Sequence, residues 1–241
     1  MNLTIDIGNT RSKWALFEDD QLVRCGFLEE GLPPEMAQAD IIVCATGDTD
    51  LHSLGLDTRG AHLLTADTPL PIAVDYATPE TLGPDRIAAA CGARMLRKEG
   101  CPQLIIDAGT CITIDYLDAA GMYHGGAILP GIDMKFRALH TFTAKLPLLE
   151  HADSATLPVT GRSTHESLIA GVLTATRFEV EGFVRHYRQA EPDLQVLLTG
   201  GDSGRLMPDG STYRTEPHLV MIGLNSIMKV IGERQKATGH R

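Results

Sequence analysis

Two turns in the sequence each place an aspartate shortly before a glycine and hydrogen-bonding side chains. The first is Asp6–Thr10 (DIGNT), with Lys13 close behind it, and the second is Asp107–Thr110 (DAGT). Glycine lets the backbone approach a ligand closely, and such turns suit phosphate oxygens and a metal-bound water. Aspartate, glycine and asparagine are also common in ordinary hairpin turns, so either turn alone is ambiguous. Their recurrence favours a pair of phosphate-binding turns.

A second candidate site is the segment Thr78–Arg86 (TPETLGPDR), which follows Tyr76 and leads into a predicted helix. A helix N-terminus attracts anions, and Asp85 beside Arg86 would combine a proton acceptor with a cationic group for an anionic substrate. The simpler alternative is that Asp85 caps the helix and that Arg86 is a surface charge. This segment alone leaves both interpretations open.

Two glycine-rich segments carry weaker signals. Leu197–Asp202 (LLTGGD) runs from an apolar strand into a double glycine, which would let a flat ligand such as adenine lie against the backbone. Gly125–Gly131 (GGAILPG) would line a cleft or shape a bend. The chain has no GxxxxGK(S/T) phosphate loop, no GxGxxG dinucleotide fingerprint and no HExxH zinc motif. Phosphate binding would therefore depend on the two aspartate turns.

The two turns belong to an internal repeat. Each opens a run of three predicted strands joined by tight turns, starting near Thr4 in the first half and near Ile105 in the second. Helices and strands then alternate in both halves. The predicted helices lie near Pro34–Gln38, around Leu51, and at Asp85–Lys98, Ile132–Thr141, His165–Gln189 and Met221–Glu233, and the later strands at Asp40–Ala45, His62–Thr65 and Gln195–Leu198.

This order of elements predicts an α/β fold of two β-β-β-α-β-α lobes with a cleft between them. We expect an N-terminal lobe at residues 1–101, with the first turn and the GPDR segment, and a C-terminal lobe at residues 102–241, with the second turn and the TGG segment. Pro102 suits the connection. The last helix is expected to pack back on the first lobe. Ligands often bind between domains, so the function is expected where the two turns face each other.

The composition excludes several classes of protein. The chain has 241 residues, of which 43% are hydrophobic and 22% charged, as in a folded globular protein. A net charge of −10 argues against a nucleic-acid-binding surface. No apolar run approaches the roughly 20 residues that span a bilayer, and no signal peptide is evident. The five cysteines form no CxxC pair, which indicates reduced thiols and a cytoplasmic location.

Taken together, the motifs resemble those of the type III pantothenate kinases, a family within the superfamily of acetate and sugar kinases, heat-shock ATPases and actin. The motifs that carry the resemblance occur in order along nearly the whole chain: DIGNT with Lys13, TPETLGPDR, DAGTCITID, GGAILPG with Met134, KLP at Lys145–Pro147, GRST at Gly161–Thr164, and TGGD. Each motif alone is weak, but their ordered combination is specific. The resemblance implies two ribonuclease H-like lobes in a duplicated actin-like ATPase fold.

The resemblance also implies the reaction, which is ATP-dependent phosphorylation of pantothenate to 4'-phosphopantothenate, the first step of coenzyme A synthesis. Asp85 would accept the proton of the attacking hydroxyl, and Asp107 would bind a monovalent cation, K⁺ or NH₄⁺. Asp6 would organise Mg²⁺ with ATP. The residues implied in ATP binding are Asp6, Ile7, Gly8, Asn9, Thr10, Arg11, Ser12, Lys13 and Thr110, and those implied in pantothenate binding are Tyr76, Gly83, Pro84, Asp85, Arg86 and Thr164. The family members are homodimers.

Two alternatives stay open beside this hypothesis. One is a catalytically weak accessory or regulatory protein on the same fold, and the other is a kinase of the same superfamily with another small acceptor. The retained aspartates, Lys13 and Arg86 favour catalysis, and the GPDR segment with Tyr76 favours pantothenate. The departures from the family pattern are Cys111, where a small residue is usual, and Trp14 beside the first turn.

Overall fold

The computed structural model describes residues 1–32, 38–46, 60–149, 157–208, 210–237 and 239. Apart from Gln38, the short helices predicted near Pro34–Gln38 and around Leu51 fall at residues 33–37 and 47–59, outside this described part of the chain. The chain forms two compact units. Unit 1 comprises Met1–Gly100, Leu117–Gly125 and His218–Arg241, and unit 2 comprises Cys101–Tyr116 and Gly126–Pro217.

A five-stranded mixed sheet forms the centre of unit 1. Its strands are β1 (Asn2–Ile7), β2 (Ser12–Glu18), β3 (Gln21–Phe27), β4 (Asp40–Ala45) and β5 (His62–Leu63), in the order β3-β2-β1-β4-β5. β1 is antiparallel to β2 and parallel to β4. The C-terminal ends of β1 and β4 therefore lie side by side at one end of the sheet, next to the N-terminal end of β2.

The second sheet repeats this order. Its strands are β6 (Ala73–Val74), β7 (Gln103–Ala108), β8 (Cys111–Leu117), β9 (Met122–Pro130), β10 (Gln195–Thr199) and β11 (Arg214–Thr215), in the order β11-β10-β7-β8-β9-β6. Without β6, the sequence β9-β8-β7-β10-β11 matches β3-β2-β1-β4-β5 strand for strand. The internal repeat predicted from the two aspartate turns is therefore confirmed.

The helices agree with the predicted ones, apart from their exact ends. They are α1 (Pro84–Met95), α2 (Ile132–Thr141), α3 (Thr164–Ile169), α4 (Ala175–Ala190), α5 (Ser203–Leu206) and α6 (Leu219–Ala237). A π-helical turn, Ala170–Thr174, joins α3 to α4, so that the predicted long helix is continuous but not uniform. The strands β6 and β11 and the helix α5 were not predicted, since each has only two to four residues.

In unit 1, α1 and α6 cross at unusually close range. A Cβ atom added at Gly223 would lie 1.7 Å from the carbonyl oxygen of Ala88, and one at Gly92 would lie 2.1 Å from the carbonyl oxygen of Leu219. Only residues without a side chain fit at these two positions. The crossing fixes α1 against α6, which in turn contacts β1 and β4.

Each unit has its own apolar core. In unit 1, Leu3, Ile5, Trp14 and Val43 are buried around the first sheet. The larger core of unit 2 surrounds β7, β8 and β10 and includes side chains from the helices of residues 132–190. That residues 1–101 and 102–241 are separate domains stays a prediction, since the compact units divide the chain differently at Leu117–Gly125 and after Pro217. Within the described residues, no helix is both long and apolar enough to cross a bilayer.

We predict that Gly223→Ala destabilises the protein, because the new methyl group must push α6 away from α1. Overpacking of this kind costs roughly 1–3 kcal/mol, which lowers the melting temperature by several degrees. Gly232→Ala in the same helix is the matched control, since a Cβ atom there meets no atom within 4 Å. The control should be neutral or slightly stabilising by helix propensity. Equal melting temperatures for the two variants would contradict the close crossing.

Candidate functional site

Asp6 lies at the end of β1 between two neighbouring strands. Its register partners are Lys13 on β2 and Cys44 on β4. Oδ1 of Asp6 is buried and has no hydrogen-bond partner among the described residues. A buried acceptor without a partner is costly, so this oxygen is suited to a ligand that supplies positive charge or a proton.

The electrostatic surroundings of Asp6 oppose its ionisation. Burial and, next, the negative charge of Asp85 raise the pKa of Asp6 from 3.8 to about 6, against the opposing effects of Lys13 and a hydrogen bond with Cys44. Burial and the charge of Asp6 also raise the pKa of Cys44 well above its ordinary value. The thiol therefore stays protonated and can donate its hydrogen to Asp6. Cys44 had no signal in the sequence beyond its place near the end of an apolar strand.

The turn after Asp6 is fixed by backbone contacts. The carbonyl oxygen of Ile7 accepts hydrogen bonds from both the backbone N–H and the hydroxyl of Thr46, each at 3.2 Å. At Gly8, a Cβ atom would lie 3.0 Å from the carbonyl oxygen of Arg11, so the turn is narrow at this point. The Arg11 guanidinium stacks over the ring of Phe27 at 5.4 Å. The turn is thus held in place from β3 and from the residue after β4.

Trp14, on β2 beside this turn, packs against β3. Its side chain is 4% exposed, and its Nε1–H lies within hydrogen-bond distance of the carbonyl oxygens of Phe27 and Gly31. A Cβ atom at Gly26 would lie 2.9 Å from the indole ring, so the glycine provides the space that Trp14 needs. This departure from the family pattern is therefore matched by a small residue on the neighbouring strand.

Asp85 occupies the first turn of α1. Its Oδ1 accepts a hydrogen bond of 2.9 Å from the backbone N–H of Arg86, and a Cβ atom at Gly83 would lie 2.6 Å from the same oxygen. Glycine before the helix therefore makes room for the carboxylate. Arg86 is 6% exposed, so it is not a surface charge. The simpler interpretation of this segment is wrong for Arg86.

Tyr76 lies between the short strand β6 and α1. A Cβ atom at Gly125 would come within 2.7 Å of its ring, so the tyrosine packs directly on the glycine backbone. The ring of the fully buried Tyr123 lies 6.3 Å away. Gly125 has φ of +80°, a backbone conformation that favours glycine. The first glycine of the GGAILPG motif is thus explained by the position of Tyr76.

In unit 2, two glycines approach the second aspartate turn. A Cβ atom at Gly200 would lie 2.5 Å from Oδ1 of Asp107, and the backbone N–H of Asp202 donates to the carbonyl oxygen of Ala108 at 2.9 Å. The backbone N–H of Gly131 donates to the carbonyl oxygen of Thr110 at 3.1 Å. The TGG and GGAILPG motifs therefore both contact the DAGT turn.

Thr164 begins α3 and is exposed. Ser163 caps this helix, since its hydroxyl accepts from the backbone N–H of Glu166, and the Glu166 carboxylate accepts from the backbone N–H of Arg162. The structure thus gathers Asp6, Lys13 and Asp85 in unit 1, and Asp107 and Thr110 in unit 2. Within the described residues, no group of three or more His, Cys, Asp or Glu side chains is arranged to hold a metal ion. A divalent cation would need further ligands from a bound substrate and water.

Comparison with known proteins gives consistent matches. A family model described as type III pantothenate kinase matches residues 33–186. The type III pantothenate kinase of Cytophaga hutchinsonii is 38% identical over 239 residues, which cover 95% of this chain and 98% of the relative.

Two solved structures share the fold. A Baf-family protein from Campylobacter jejuni matches with a TM-score of 0.61 at 21% identity, over 96% of this chain and 99% of that chain. The activator of the 2-hydroxyisocaproyl-CoA dehydratase from Clostridium difficile, solved with bound ADPNP, matches with a TM-score of 0.52 at 12% identity. The match covers 98% of this chain and 97% of that chain. At these identities, the two structures support a shared fold and nothing about function. The predicted two-lobed α/β fold of the actin-like ATPases and sugar kinases is confirmed.

The raised pKa of Asp6 makes a prediction for stability. The pKa of Asp6 is 3.8 in the unfolded chain and about 6 in the folded protein. The folded state therefore loses stability as the pH rises from about 4 to 6, and the full loss is present above pH 6. Asp6→Asn should therefore unfold at a higher temperature than the wild type at pH 7.5 in metal-free buffer, with a gain of roughly 1–3 kcal/mol.

Near pH 4 the advantage should disappear, because the wild-type carboxylate is then protonated in the folded protein. Thermal unfolding followed by circular dichroism at both values measures the difference. Asp193→Asn changes an exposed carboxylate before β10 and should show no such pH dependence. A wild type as stable as Asp6→Asn at pH 7.5 would contradict the burial of this charge.

Proposed function

Because this chain belongs to the type III pantothenate kinase family, it phosphorylates pantothenate with ATP in coenzyme A biosynthesis, and we propose that Asp85 accepts the hydroxyl proton in this reaction. The observation that carries the proposal is the position of Asp85 in the first turn of α1, with its charge close enough to raise the pKa of Asp6. A proton acceptor in this position lies near the turn to which we assign the phosphates.

The first step that we propose is binding of the acceptor. Arg86 is a buried cation that follows Asp85 directly, and pantothenate carries a carboxylate. Gly83, Pro84 and Tyr76 complete this part of the site, and Thr164 is assigned to pantothenate by the family resemblance alone. Pro84 at the start of α1 fixes the backbone before Asp85. The carboxylate of Asp85 then takes the proton as the hydroxyl oxygen attacks the γ-phosphorus, and the bond from phosphorus to the ADP oxygen breaks.

The residues from Asp6 to Lys13 are assigned to the ATP phosphates. Lys13 lies opposite Asp6 in the sheet and brings a positive charge to this end of β1. Backbone N–H groups of the narrow turn at Gly8 and the side chains of Asn9, Thr10 and Ser12 are donors suited to phosphate oxygens. Oδ1 of Asp6, which has no hydrogen-bond partner in the described part of the chain, fits a divalent cation or its bound water. When bound, Mg²⁺ neutralises charge on the phosphates of ATP.

In unit 2 we assign Thr110 to ATP and Asp107 to a monovalent cation, K⁺ or NH₄⁺. The support is that backbone from Gly131 and Gly200 approaches the DAGT turn closely, so that carboxylate and carbonyl oxygens, the ligands of hard cations, are concentrated there. Fixed oxygens around Asp107 are the arrangement that such an ion requires. The same closeness leaves little space for side chains in place of either glycine.

A homodimer and a cytoplasmic location complete the proposal. Unit 2 exposes several large apolar side chains, among them Phe142 at 86%, Val159 at 71% and Phe178 at 52%. These side chains are available for contact with a partner, and the second copy is the partner expected for this family. The five cysteines are free thiols in the structure, which suits a reducing compartment.

We predict that Asp85→Asn lowers kcat for pantothenate phosphorylation by about 10²–10⁴-fold, because the amide cannot accept the hydroxyl proton. The measurement is release of ADP with ATP, Mg²⁺ and pantothenate. The control Asp193→Asn should leave kcat unchanged. If Asp85→Asn, folded and able to bind ATP, retained wild-type turnover, another group would have to accept the proton.

We also predict that turnover is higher in K⁺ or NH₄⁺ than in Na⁺ at equal ionic strength, and that Asp107→Asn removes the difference. The carboxylate is expected to supply most of the charge that holds the ion. The experiment compares kcat, from release of ADP, in the three salts for the wild type and for Asp107→Asn, with Asp193→Asn as the control. Equal rates in all three salts for the wild type would overturn the assignment of Asp107.

A further inference from the structure

We propose that His124 is a positioning residue for the acceptor site, because its ring bridges Asp118 in the β8–β9 turn and Asp75 directly before Tyr76. The bridge would hold the Tyr76 ring in place against Gly125. This inference rests on the proposed role of Tyr76 in binding pantothenate. It adds to that site a residue that does not itself touch the substrate.

The geometry of the bridge uses both nitrogens of the imidazole. Nε2 of His124 lies 3.0 Å from Oδ2 of Asp118, and Nδ1 lies 3.4 Å from Oδ2 of Asp75. An imidazole donates hydrogen bonds from both nitrogens only when it is protonated. The hydrogen bond to Asp118, and further the hydrogen bond and charge of Asp75, raise the pKa of His124. The charged ring is therefore favoured between the two carboxylates.

Both ends of the bridge are tied to the backbone around them. The other oxygen of Asp118, Oδ1, accepts from the backbone N–H of Met122 at 2.9 Å. On the other side, the backbone N–H of Asp75 donates to the carbonyl oxygen of Tyr123 at 2.9 Å, which extends the short pairing of β6 with β9. The two-residue strand β6 provides few hydrogen bonds of its own. The side-chain bridge therefore adds a second attachment for the segment that carries Tyr76.

The same turn is also attached to the end of α1. Nη1 of Arg97, just beyond the helix, donates to the carbonyl oxygen of Ala119 at 2.6 Å, and a Cβ atom at Gly121 would lie 3.0 Å from Nε of Arg94. The charged groups around the bridge are therefore Asp75, Asp118, Arg94 and Arg97. Since α1 begins with Asp85 and Arg86, the β8–β9 turn supports both α1 and the segment of Tyr76.

The contribution of the bridge to stability should be small. About a third of the His124 side chain is exposed, and most of the Asp75 side chain is, so water screens the charges. A variant without the bridge should therefore fold normally. What it should lose is the fixed position of Tyr76, which affects pantothenate and not ATP.

The test compares His124→Phe, which keeps an aromatic ring without its nitrogens, with the wild type and with the control His186→Phe, an exposed histidine on α4. For His124→Phe we expect the KM for pantothenate to rise roughly three- to fivefold at pH 6.5, with unchanged KM for ATP and melting temperature. His124→Phe combined with Asp75→Asn should raise the KM no further. The control should behave as the wild type.

The pH profile gives a second readout. A histidine whose pKa is raised in the folded protein keeps the bridge at low pH and loses it as the pH rises through that pKa. The wild-type KM for pantothenate should therefore rise from pH 6 to pH 9, and that of His124→Phe should rise less. A His124→Phe variant with the wild-type KM and pH profile would overturn the inference, as would an equal rise in the KM for ATP.

Tyr76→Ala, measured alongside, separates this inference from the proposed site. If Tyr76→Ala raises the KM for pantothenate and His124→Phe does not, the bridge is overturned and the assignment of Tyr76 stands. If neither variant changes the KM, both the bridge and the assignment of Tyr76 are overturned. A rise in both variants supports the two together.

Discussion

Asp6, the penultimate residue of β1, has one buried carboxylate oxygen without a partner among the described residues, and the negative charge of Asp85 on α1 acts on it. The negative charge of Asp85 and the burial of Asp6 both oppose the ionisation of Asp6. Lys13 and the Cys44 thiol offset part of this cost but not all of it. A divalent cation bound at Asp6, as we propose, would remove the remainder, so that the cost of the buried charge would be recovered when the metal-bound nucleotide binds.

The fold must hold these two carboxylates in place against their repulsion. Asp6 is fixed by the pairing of β1 with strands on both sides. Asp85 depends on α1, and α1 depends on the glycine contacts with α6, which itself packs on the same sheet. The contacts of the sheet with α6, and of α6 with α1, therefore fix the position of the proposed proton acceptor. A last helix far along the chain thus helps to define a site whose other residues lie near the start.

Local patterns were enough to predict the repeat, the long helices and the aspartate turns. Three strands joined by tight turns are specified by neighbouring residues, and α1 by the apolar face that includes Ile87 and Cys91. Contacts between distant segments were not predictable in the same way. The sequence had no signal that Cys44 lies beside Asp6, or that β6 pairs with β9, because such register depends on the folded sheet. The bridge of His124 was missed for the same reason: its partner Asp75 comes from another part of the chain.

The π-helical turn Ala170–Thr174 affects how this protein is compared with its relatives. Such a turn contains one residue more than the α-helix around it, so it corresponds to a single-residue insertion. Each residue of an α-helix turns the chain by about 100°. After the extra residue, the side chains of α4 therefore point in directions rotated by about 100° from those that a regular continuation of α3 would give. An alignment drawn through this helix without a gap would pair buried positions with exposed ones in any relative whose helix is regular.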